Sequence, residues 1–590
     1  MGLGILESRS MDHVPGTTRY FDDPERPQYA ADGTHGLKCD TSGAVPIILV
    51  PQPSDDSNDP LNWPLWKRDM ITFTLSMAAI FATALGPILA CNTFTLQRTF
   101  GVTFASVAEL TGWYLLGVGA AAFLFVPSGR IWGKRHLFVT SCVLLVITSA
   151  WGGASNTPSL YRSQVAARVW QGIATAPFEC FVNAIVADLY FVHERGKRMA
   201  FTNLAVFGGA FMTPILVGKI TTSMGWEWSF YWIAIFCAII LPAIFFLCPE
   251  TAYRRDSSLN LDMLATDPPT ERSSAGDTGS HETRDDLEKV GDSTSTMPPP
   301  TGDAPAAHKG TNGAAGMTST SAPVSAPPVA GRQKATFAQS LALFNGRKTD
   351  DVFWKLLLRP IVLFAHPAFL WASITQGLLI GWTVFIGVLI STFLQGSPLW
   401  WMEDKVGYTY TAPFLGALIG FMLAGALADW SAKVMTKWNG GVYEPEFRIV
   451  LVIPQLLLGC AGLYGFGTTI DGLSEGKYSV YVPLAFFLLE VAGMVVGAVA
   501  SSLYIVDAYR GLAIEGLTCM IIFKNIFSFA LAFKAFGWLI QNHVQARPMF
   551  NALGSVQLVA CLLSIPMYVY GKRLRSFSYR HDLLALCRVR

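Results

Sequence analysis

The sequence predicts an all-α integral membrane protein with twelve transmembrane helices, arranged as two six-helix bundles around a disordered central linker. Composition is the first observation behind this prediction: 52% of the 590 residues are hydrophobic and only 14% are charged, whereas soluble domains carry about 25% charged residues. The second is a set of twelve apolar runs that are each long enough to cross a bilayer. The third is a long polar stretch that divides these runs into six and six.

Each predicted span rests on an apolar run of at least about 18 residues. The spans of the first set are predicted at 70–92, 108–128, 136–154, 162–188, 199–222 and 228–248. Those of the second set are predicted at 361–394, 408–430, 447–468, 479–504, 515–540 and 549–571. The run at 361–394 is long enough to include a short interfacial helix before the span itself.

The stretch between the two sets is rich in Pro, Gly, Ser, Thr and Ala and contains few large apolar residues. Such a segment buries too little surface to offset the entropy of ordering, so we expect it to be disordered. The expected domains are an N-terminal tail at 1–69, a first bundle at 70–255, the linker at 256–352, a second bundle at 353–572 and a C-terminal tail at 573–590.

Basic residues indicate the orientation in the membrane. Clusters follow the second, fourth, sixth, eighth and twelfth spans, at 130–135, 195–198, 254–255, 433–448 and 572–575, whereas the opposite loops hold isolated cations. By the positive-inside rule, both tails and the linker are expected in the cytoplasm of a multi-pass cell-membrane protein.

The fourth predicted span carries ionisable residues that are costly in hydrocarbon, at about 2.5–3.5 kcal/mol each or more. At 100° per residue, Arg168 and Glu179 lie within about 20° of one another around this helix, with Thr175 and Asn183 on the same flank. We therefore expect this polar stripe to face a water-filled cavity between the bundles. Asp188, near the helix end, is expected to pair with a cation at 195–198.

Glu179 is the strongest candidate for a residue that loads and releases protons, although a neighbouring polar residue could also satisfy it within a packed interface. In the second bundle, Glu490, Lys524 and Asn525 are predicted at a comparable depth. A Glu490–Lys524 pair would neutralise both charges, and contact with a substrate is the alternative. Gln376 is a further candidate for the mouth of the cavity.

Several short motifs resemble those of one known family, the major facilitator superfamily, and within it the fungal twelve-helix drug:proton antiporter-like group. "RVWQGIATA" resembles the R-x-x-Q-G-x-x-x-A motif of the fourth helix, and "GALAD" resembles the second copy of a loop motif whose first copy keeps only "GKR". In the fifth helix, "GGAFMTPILVG" has Thr213 where that group usually has a glycine before the proline. The resemblance covers about 60–585 apart from the linker.

The resemblance implies roles for individual residues. Arg168 would couple proton movement to transport, although a structural role as a donor to neighbouring backbone is the alternative. The expected substrate and proton pathway comprises Arg168, Gln171, Thr175, Glu179, Asn183, Gln376, Glu490, Lys524 and Asn525. The expected conformational loops contain Gly133, Lys134, Arg135 and Asp429, and the fifth-helix motif contains Gly209, Pro214 and Gly218.

For the family, the resemblance implies a monomeric secondary transporter that exports a hydrophobic small molecule, such as a drug, toxin or secondary metabolite, in exchange for protons. Proton-coupled uptake of polyamines or similar organic cations is the alternative, and a non-transporting nutrient receptor is a third possibility. The sequence contains no Gly-x-Ser-x-Gly, no His-rich metal spacing and no phosphate-binding glycine loop, so we expect no enzyme activity, cofactor or metal. A net charge of +2 gives no reason to expect nucleic acid as a partner.

Overall fold

The computed structural model describes residues 3–8, 14, 16–19, 38–40, 47–49, 52–254, 336–440, 442–541 and 545–589. The predicted disordered linker falls mostly on 255–335 and so lies outside the described residues, as do parts of the predicted N-terminal tail. We call residues 52–254 the first half and residues 336–589 the second half. The described chain is helical apart from its loops and two short antiparallel strand pairs, β1 (Thr18–Arg19) with β4 (Val442–Tyr443) and β2 (Cys39–Asp40) with β3 (Ile47–Ile48).

The first half contains seven α-helices. They are α1 (Leu65–Ala84), α2 (Thr93–Phe100), α3 (Phe104–Trp132), α4 (Arg135–Ala154), α5 (Tyr161–Leu189), α6 (Val192–Met224) and α7 (Glu227–Leu247). Short 3₁₀ helices at Pro60–Asn62 and Pro158–Leu160 precede α1 and α5.

The described part of the second half contains eleven α-helices. They are α8 (Phe337–Ser340), α9 (Phe353–Phe364), α10 (Pro367–Gln395), α11 (Glu403–Thr409), α12 (Thr411–Trp438), α13 (Val452–Ser474), α14 (Tyr481–Ala508), α15 (Ala513–Gln541), α16 (Ala546–Leu562), α17 (Ser564–Arg580) and α18 (Leu583–Leu586). Further 3₁₀ helices lie at Pro445–Leu451 and Arg510–Leu512.

The twelve predicted spans correspond to α1, α3–α7, α10, α12–α15 and the α16–α17 pair. Within the described residues, eleven helical segments are long and apolar enough to cross a membrane. The twelfth, α1, is 20 residues long and carries three consecutive charged residues near its start, Lys67, Arg68 and Asp69, which lower its hydropathy. The prediction of an all-α membrane protein with two six-helix bundles is confirmed.

Proline residues mark the places where the helix bounds differ from the prediction. α1 ends at Ala84, well before the predicted residue 92, because Pro87 lacks an amide hydrogen and disfavours helical geometry at Gly86. The run at 361–394 divides at His366, whose ring accepts a hydrogen bond from the amide of Ala368 (3.2 Å) and caps α10. The helix before this break, α9, lies mostly ahead of the predicted run and overlaps it only at 361–364.

Helix alternation gives the molecule two faces. The terminal face carries the loops at 133–134, 190–191 and 248–254 and the 3₁₀ helix Pro445–Leu451, and both described chain ends lie at this face. The distal face carries the loops at 85–92, 155–157, 225–226 and 396–402. Each half packs around its own buried apolar core, which includes Phe178 and Phe230 in the first half and Phe466 and Phe550 in the second.

The N-terminal segment docks on the second half, although it precedes the first half in sequence. The amide of Leu6 donates to the carbonyl of Val569 (3.0 Å), and Lys572 pairs with Glu7 (2.6 Å) and Glu444 (2.7 Å). Arg575 completes this buried cluster through ion pairs to Glu444 and Glu446, both at 2.8 Å. Here the expected C-terminal tail, 573–590, begins inside α17 and not in a loop.

Candidate functional site

A cavity of about 190 Å³ lies between the two halves. Helices α1, α2, α3, α5 and α6 border it from the first half, and α10, α14 and α15 border it from the second. Its walls are mostly apolar and include the aromatic rings of Tyr114, Phe207, Phe211, Tyr410, Phe487 and Phe536. A concave, largely apolar space with a few polar groups is the usual form of a small-molecule site.

An ion pair crosses between the halves at the wall of this cavity. Lys524 on α15 donates to Glu179 on α5, and the two side chains are only 14% and 13% exposed. Each charge would be costly in this apolar surrounding, and the partner offsets that cost. Among the described residues that border the cavity, these two are the only charged ones. The site therefore carries one acid and one base, and each half contributes one of them.

Glu490 on α14 is fully buried, and both of its carboxyl oxygens lie within hydrogen-bonding distance of Thr383 Oγ1, at 2.9 and 3.0 Å. Thr383 borders the cavity, so Glu490 contacts a residue of the cavity wall. Among the described residues no cation pairs with Glu490. The expected Glu490–Lys524 pair is therefore wrong: the partner of Lys524 comes from the opposite half, which a search within one half could not find.

Arg168 lies behind the cavity wall and is fully buried. Its guanidinium donates to the carbonyls of Leu85 (2.7 Å), Gly86 (3.3 Å) and Leu110 (3.2 Å). The first two carbonyls have lost their helical partners because α1 ends just before the Gly86-Pro87 turn. Arg168 thus caps the end of α1, and its guanidinium also lies 4.7 Å from the ring centre of Tyr114, which does border the cavity.

The angular argument for α5 carries no information about depth, and of the four residues of the polar stripe only Glu179 borders the cavity. Arg168 and Glu179 are eleven residues apart, which is about 16 Å along a helix. Glu179 reaches the cavity, whereas Arg168 lies at the level of the distal-face turn that it caps. The helical period therefore groups residues on one side of α5 but cannot tell which of them border open space.

The remaining pathway candidates divide between helix packing and the cavity. Gln171 accepts from Arg168 (2.9 Å) and donates to the carbonyl of Thr148 (3.0 Å), while Thr175 donates to the carbonyls of Ala82 and Gln171. Both therefore fasten α5 to its neighbours.

Asn183 joins α5 to α6 through Asn203 and Thr202, each at 2.7 Å. Asn525 borders the cavity and donates to the carbonyl of Ile521 (3.0 Å). Gln376 is half-buried on α10 and is not among the described residues that border the cavity.

The expected conformational loop at 133–135 fastens the first half internally. Gly133 has a φ of +94°, and a Cβ there would lie 2.2 Å from Glu250, whose carboxylate accepts from the amides of Lys134 and Arg135, both at 3.0 Å. This carboxylate caps the N-terminus of α4.

The Lys134 side chain pairs with Asp188 at 2.5 Å. Asp188 was expected to pair at 195–198, and the described cation there, Arg198, binds Asp69 instead. Arg195 and Lys197 have side chains outside the described set. Asp429, the counterpart in the second half, is exposed on α12.

The fifth-helix motif, on α6, permits close approach to two neighbours. A Cβ at Gly209 would lie 2.7 Å from the carbonyl oxygen of Ile80 on α1, and one at Gly218 would lie 2.5 Å from that of Glu403 on α11. The carbonyl of Pro214 accepts a hydrogen bond from Cys91 (3.4 Å). Since α11 belongs to the second half, Gly218 is part of the contact between the halves at the distal face.

The sequence reasoning missed a second set of charges between the halves, which we call the terminal-face clamp. It consists of Arg130 on α3, Asp351, Arg359 on α9 and Glu515 on α15. Arg130 binds Glu515 and lies 3.5 Å from Asp351, and Arg359 contacts both acids at 3.3 Å. The available signal was the degraded first copy of the loop motif, in which Arg130 or a neighbour stands where the resemblance leads us to expect an aspartate.

Similar proteins are found over almost the whole chain. An uncharacterised MFS-type transporter of Schizosaccharomyces pombe is 23% identical over 96% of this chain and 94% of its own. The efflux pump radE of Floropilus chiversii is 23% identical over 88% of this chain and 84% of its own. A solved structure of the proton:xylose symporter XylE, bound to 6-bromo-6-deoxy-D-glucose, covers 87% of this chain and 100% of its own, with 13% identity and a TM-score of 0.53, so it shares the fold.

The family match covers most of the chain. The sequence profile described as Major Facilitator Superfamily matches residues 71–515, which span the first half, the central region and the second half as far as the start of α15. This match agrees with the two bundles and with the cavity between them. The protein is thus a multi-pass secondary transporter of small molecules and not an enzyme, and it belongs to the Major Facilitator Superfamily.

Proposed function

We propose that this transporter exports a hydrophobic small molecule, such as a drug, toxin or secondary metabolite, across the plasma membrane in exchange for protons, with its terminal face in the cytoplasm. The observation that carries the proposal is the cavity between the halves, whose bordering charges are the matched pair of Glu179 and Lys524. Because these charges cancel, the rest of the wall favours an apolar, uncharged substrate. The relative named efflux pump radE supports the export direction.

Glu179 is the proposed proton carrier. Protonation of its carboxylate removes the charge that Lys524 attracts, so the contact between α5 and α15 weakens and the halves separate at that depth. Loss of the proton restores the pair. The cavity of about 190 Å³ is smaller than the ~300–1,000 Å³ typical of drug-sized sites. Separation of the halves would therefore also be the step that admits a larger substrate, which is the coupling that alternating access requires.

Proton-coupled uptake of polyamines or similar organic cations is the second candidate, and one observation favours it. Glu490 has no cationic partner among the described residues, and its hydrogen-bond partner Thr383 borders the cavity. A substrate ammonium group that approached Thr383 would find a nearby negative charge without having to displace a lysine. In this case Glu490, and not Glu179, would determine substrate affinity.

Transport in whole cells distinguishes the two directions. Cells that overexpress the protein should accumulate less of a transported hydrophobic drug if it is an exporter, and more of a polyamine if it is an uptake carrier. Deletion should have the opposite effect in each case. A panel of both compound classes, measured in the same cells, would reject the export proposal if only polyamine accumulation changed and if it rose on overexpression.

The proton-coupling role is tested in proteoliposomes with an imposed pH gradient. We expect Glu179→Gln to abolish the dependence of transport on the gradient while the protein still inserts and folds. The matched control is Glu109→Gln, because Glu109 is a half-buried carboxylate on α3 that does not border the cavity. Gradient-driven transport that survived in E179Q at the level of E109Q would contradict the proposed mechanism.

A further inference from the structure

A second and larger concavity lies on the outer surface of the second half, between α10 and α17. It has a volume of about 750 Å³, and it shares no bordering residue with the cavity between the halves. Its floor is fixed by a hydrogen bond from the indole of Trp371 to Ser564 (2.9 Å), which ties the start of α17 to α10. Its walls are apolar and include Leu370, Ile374 and Met567. We call this concavity the α10–α17 groove.

One face of α17 combines aromatic and basic residues along the groove. Tyr570, Arg573, Phe577 and Arg580 follow each other at intervals of three and four residues, which places them in one stripe on a helix. The Tyr570 and Phe577 side chains are about half exposed, at 49% and 51%. Such rings and arginines are typical of the boundary between hydrocarbon and headgroups. The stripe therefore marks the level at which the groove meets the terminal-face surface of the membrane.

The two arginines are available to a ligand. Arg573 donates through Nε to the carbonyl of Glu7 (3.1 Å), and Arg580 donates through Nε to the carbonyl of Ser576 (3.5 Å). Among the described residues neither forms an ion pair with a carboxylate, and no acidic residue is among those that border the groove. The neighbouring Lys572 and Arg575 are different, since Glu7, Glu444 and Glu446 already neutralise them.

We propose that the α10–α17 groove binds an anionic phospholipid from the leaflet at the terminal face. The acyl chains would lie against the apolar wall of α10 and α17, and the headgroup phosphate would lie between Arg573 and Arg580. Arginine suits this position because its planar fork donates two hydrogen bonds to a phosphate. Basic pockets between helices on the cytoplasmic side are known to select anionic headgroups, and the predicted orientation places the terminal face there.

The test measures binding of defined lipids to the full-length protein by native mass spectrometry. Dioleoylphosphatidylserine and dioleoylphosphatidylcholine are titrated separately into the same detergent. We expect the wild type to prefer phosphatidylserine, and Arg573→Gln with Arg580→Gln to weaken its binding about ten- to thirtyfold, because each basic residue near a membrane surface adds attraction to anionic lipid. Binding of phosphatidylcholine should change little in this variant.

Two further variants control for folding and for total charge. Arg573→Lys with Arg580→Lys keeps the charges and should retain most of the preference. Arg98→Gln with Arg162→Gln removes two exposed cations on the distal side and should leave binding at the wild-type level. Ile374→Trp, which fills the groove, should weaken binding of both lipids. Equal affinity of the wild type for the two lipids, or full phosphatidylserine binding by the double glutamine variant, would overturn the proposal.

Discussion

Arg168, Lys524 and Glu490 are ionisable residues on membrane-spanning helices, and each is satisfied in a different way. Arg168 donates to backbone carbonyls left open by the end of α1. Lys524 pairs with a carboxylate from the other half, and Glu490 shares a hydrogen bond with Thr383. These differences indicate different roles. An arginine that caps a helix is fixed in place, whereas a pair between two halves can open when the halves move.

The Glu179–Lys524 pair predicts that substitutions of the two residues have strongly coupled effects on stability. Glu179→Gln leaves Lys524 as an unpaired cation, and Lys524→Gln leaves Glu179 as an unpaired anion, so each single change should lower the thermal unfolding midpoint. Loss of one partner of a fully buried pair costs about 3–5 kcal/mol, and the effect should be smaller here because water can enter the cavity. The double variant removes both charges and should be more stable than either single variant. Additive losses in the double variant would contradict the pair.

Arg168 predicts a stability defect that lysine does not repair. In Arg168→Ala, the carbonyls of Leu85, Gly86 and Leu110 lose a shared donor, at about 1–3 kcal/mol for each group left unsatisfied. Arg168→Lys supplies donors on one nitrogen only, so it cannot bridge α1 and α3 and should recover little. Arg162→Lys, six residues earlier on α5 and exposed, is the matched control and should be neutral. Thermal unfolding in detergent measures all three, and a wild-type midpoint for R168K would refute the bridging role.

At the scale of elements, proline determines where helices end and glycine determines how closely they approach. The Gly86-Pro87 turn ends α1, and Pro367 opens α10 after the break at His366. On α6, Gly209 and Gly218 face backbone atoms of neighbouring helices at distances that exclude a Cβ. In a membrane no hydrophobic effect drives two helices together, so their association depends on close van der Waals packing. Small residues at the contact permit that packing.

Glycine substitutions should therefore have effects of opposite sign at different positions. Gly209→Ala introduces a Cβ 2.7 Å from a backbone oxygen of α1, and it should cost about 1–3 kcal/mol through overpacking. Gly425→Ala on α12 meets no atom within 4 Å and should be neutral or stabilising by up to ~1 kcal/mol through helix propensity. Thermal unfolding midpoints of the two variants, measured side by side, check the difference. A destabilised G425A, or an unchanged G209A, would contradict this explanation.

The elements were predictable from sequence to the extent that local chemistry decides them. Apolar length gave the spans, whereas the break at His366 before Pro367 was not placed within the predicted run 361–394. Helical periodicity identified the side of α5 that carries Glu179 but not the depth of the cavity. The partner of Lys524 and the clamp around Arg130 depend on how two halves meet, and contacts between residues hundreds of positions apart leave no periodic signal in one sequence.

At the scale of the whole molecule, the halves are joined at both faces by different chemistry. At the distal face the contacts are hydrogen bonds: Thr93 with Ser391 (2.6 Å), the side chain of Gln395 to the carbonyl of Cys91 (2.9 Å), and Thr95 with Glu403. At the terminal face they include the ion pairs of the terminal-face clamp, on the side of α3 and α15. Movement that opens the terminal face more widely would have to break the clamp, whose charges are therefore expected to set the balance between conformations.

The clamp predicts unequal effects for its two main residues. Arg130→Gln removes both ion pairs that Arg130 makes, whereas Glu515→Gln leaves Arg130 with Asp351. R130Q should therefore favour the conformation that is more open at the terminal face by about 1 kcal/mol, roughly a fivefold change in population, and E515Q should have a smaller effect. Distances between spin labels at exposed positions 201 on α6 and 437 on α12 would measure the change, since these positions lie in different halves and outside the clamp.

Arg254→Gln is the matched control, because the Arg254–Asp350 pair is largely exposed and such pairs contribute about 0–1 kcal/mol. Equal distance distributions in R130Q and R254Q would show that the clamp does not hold the halves together.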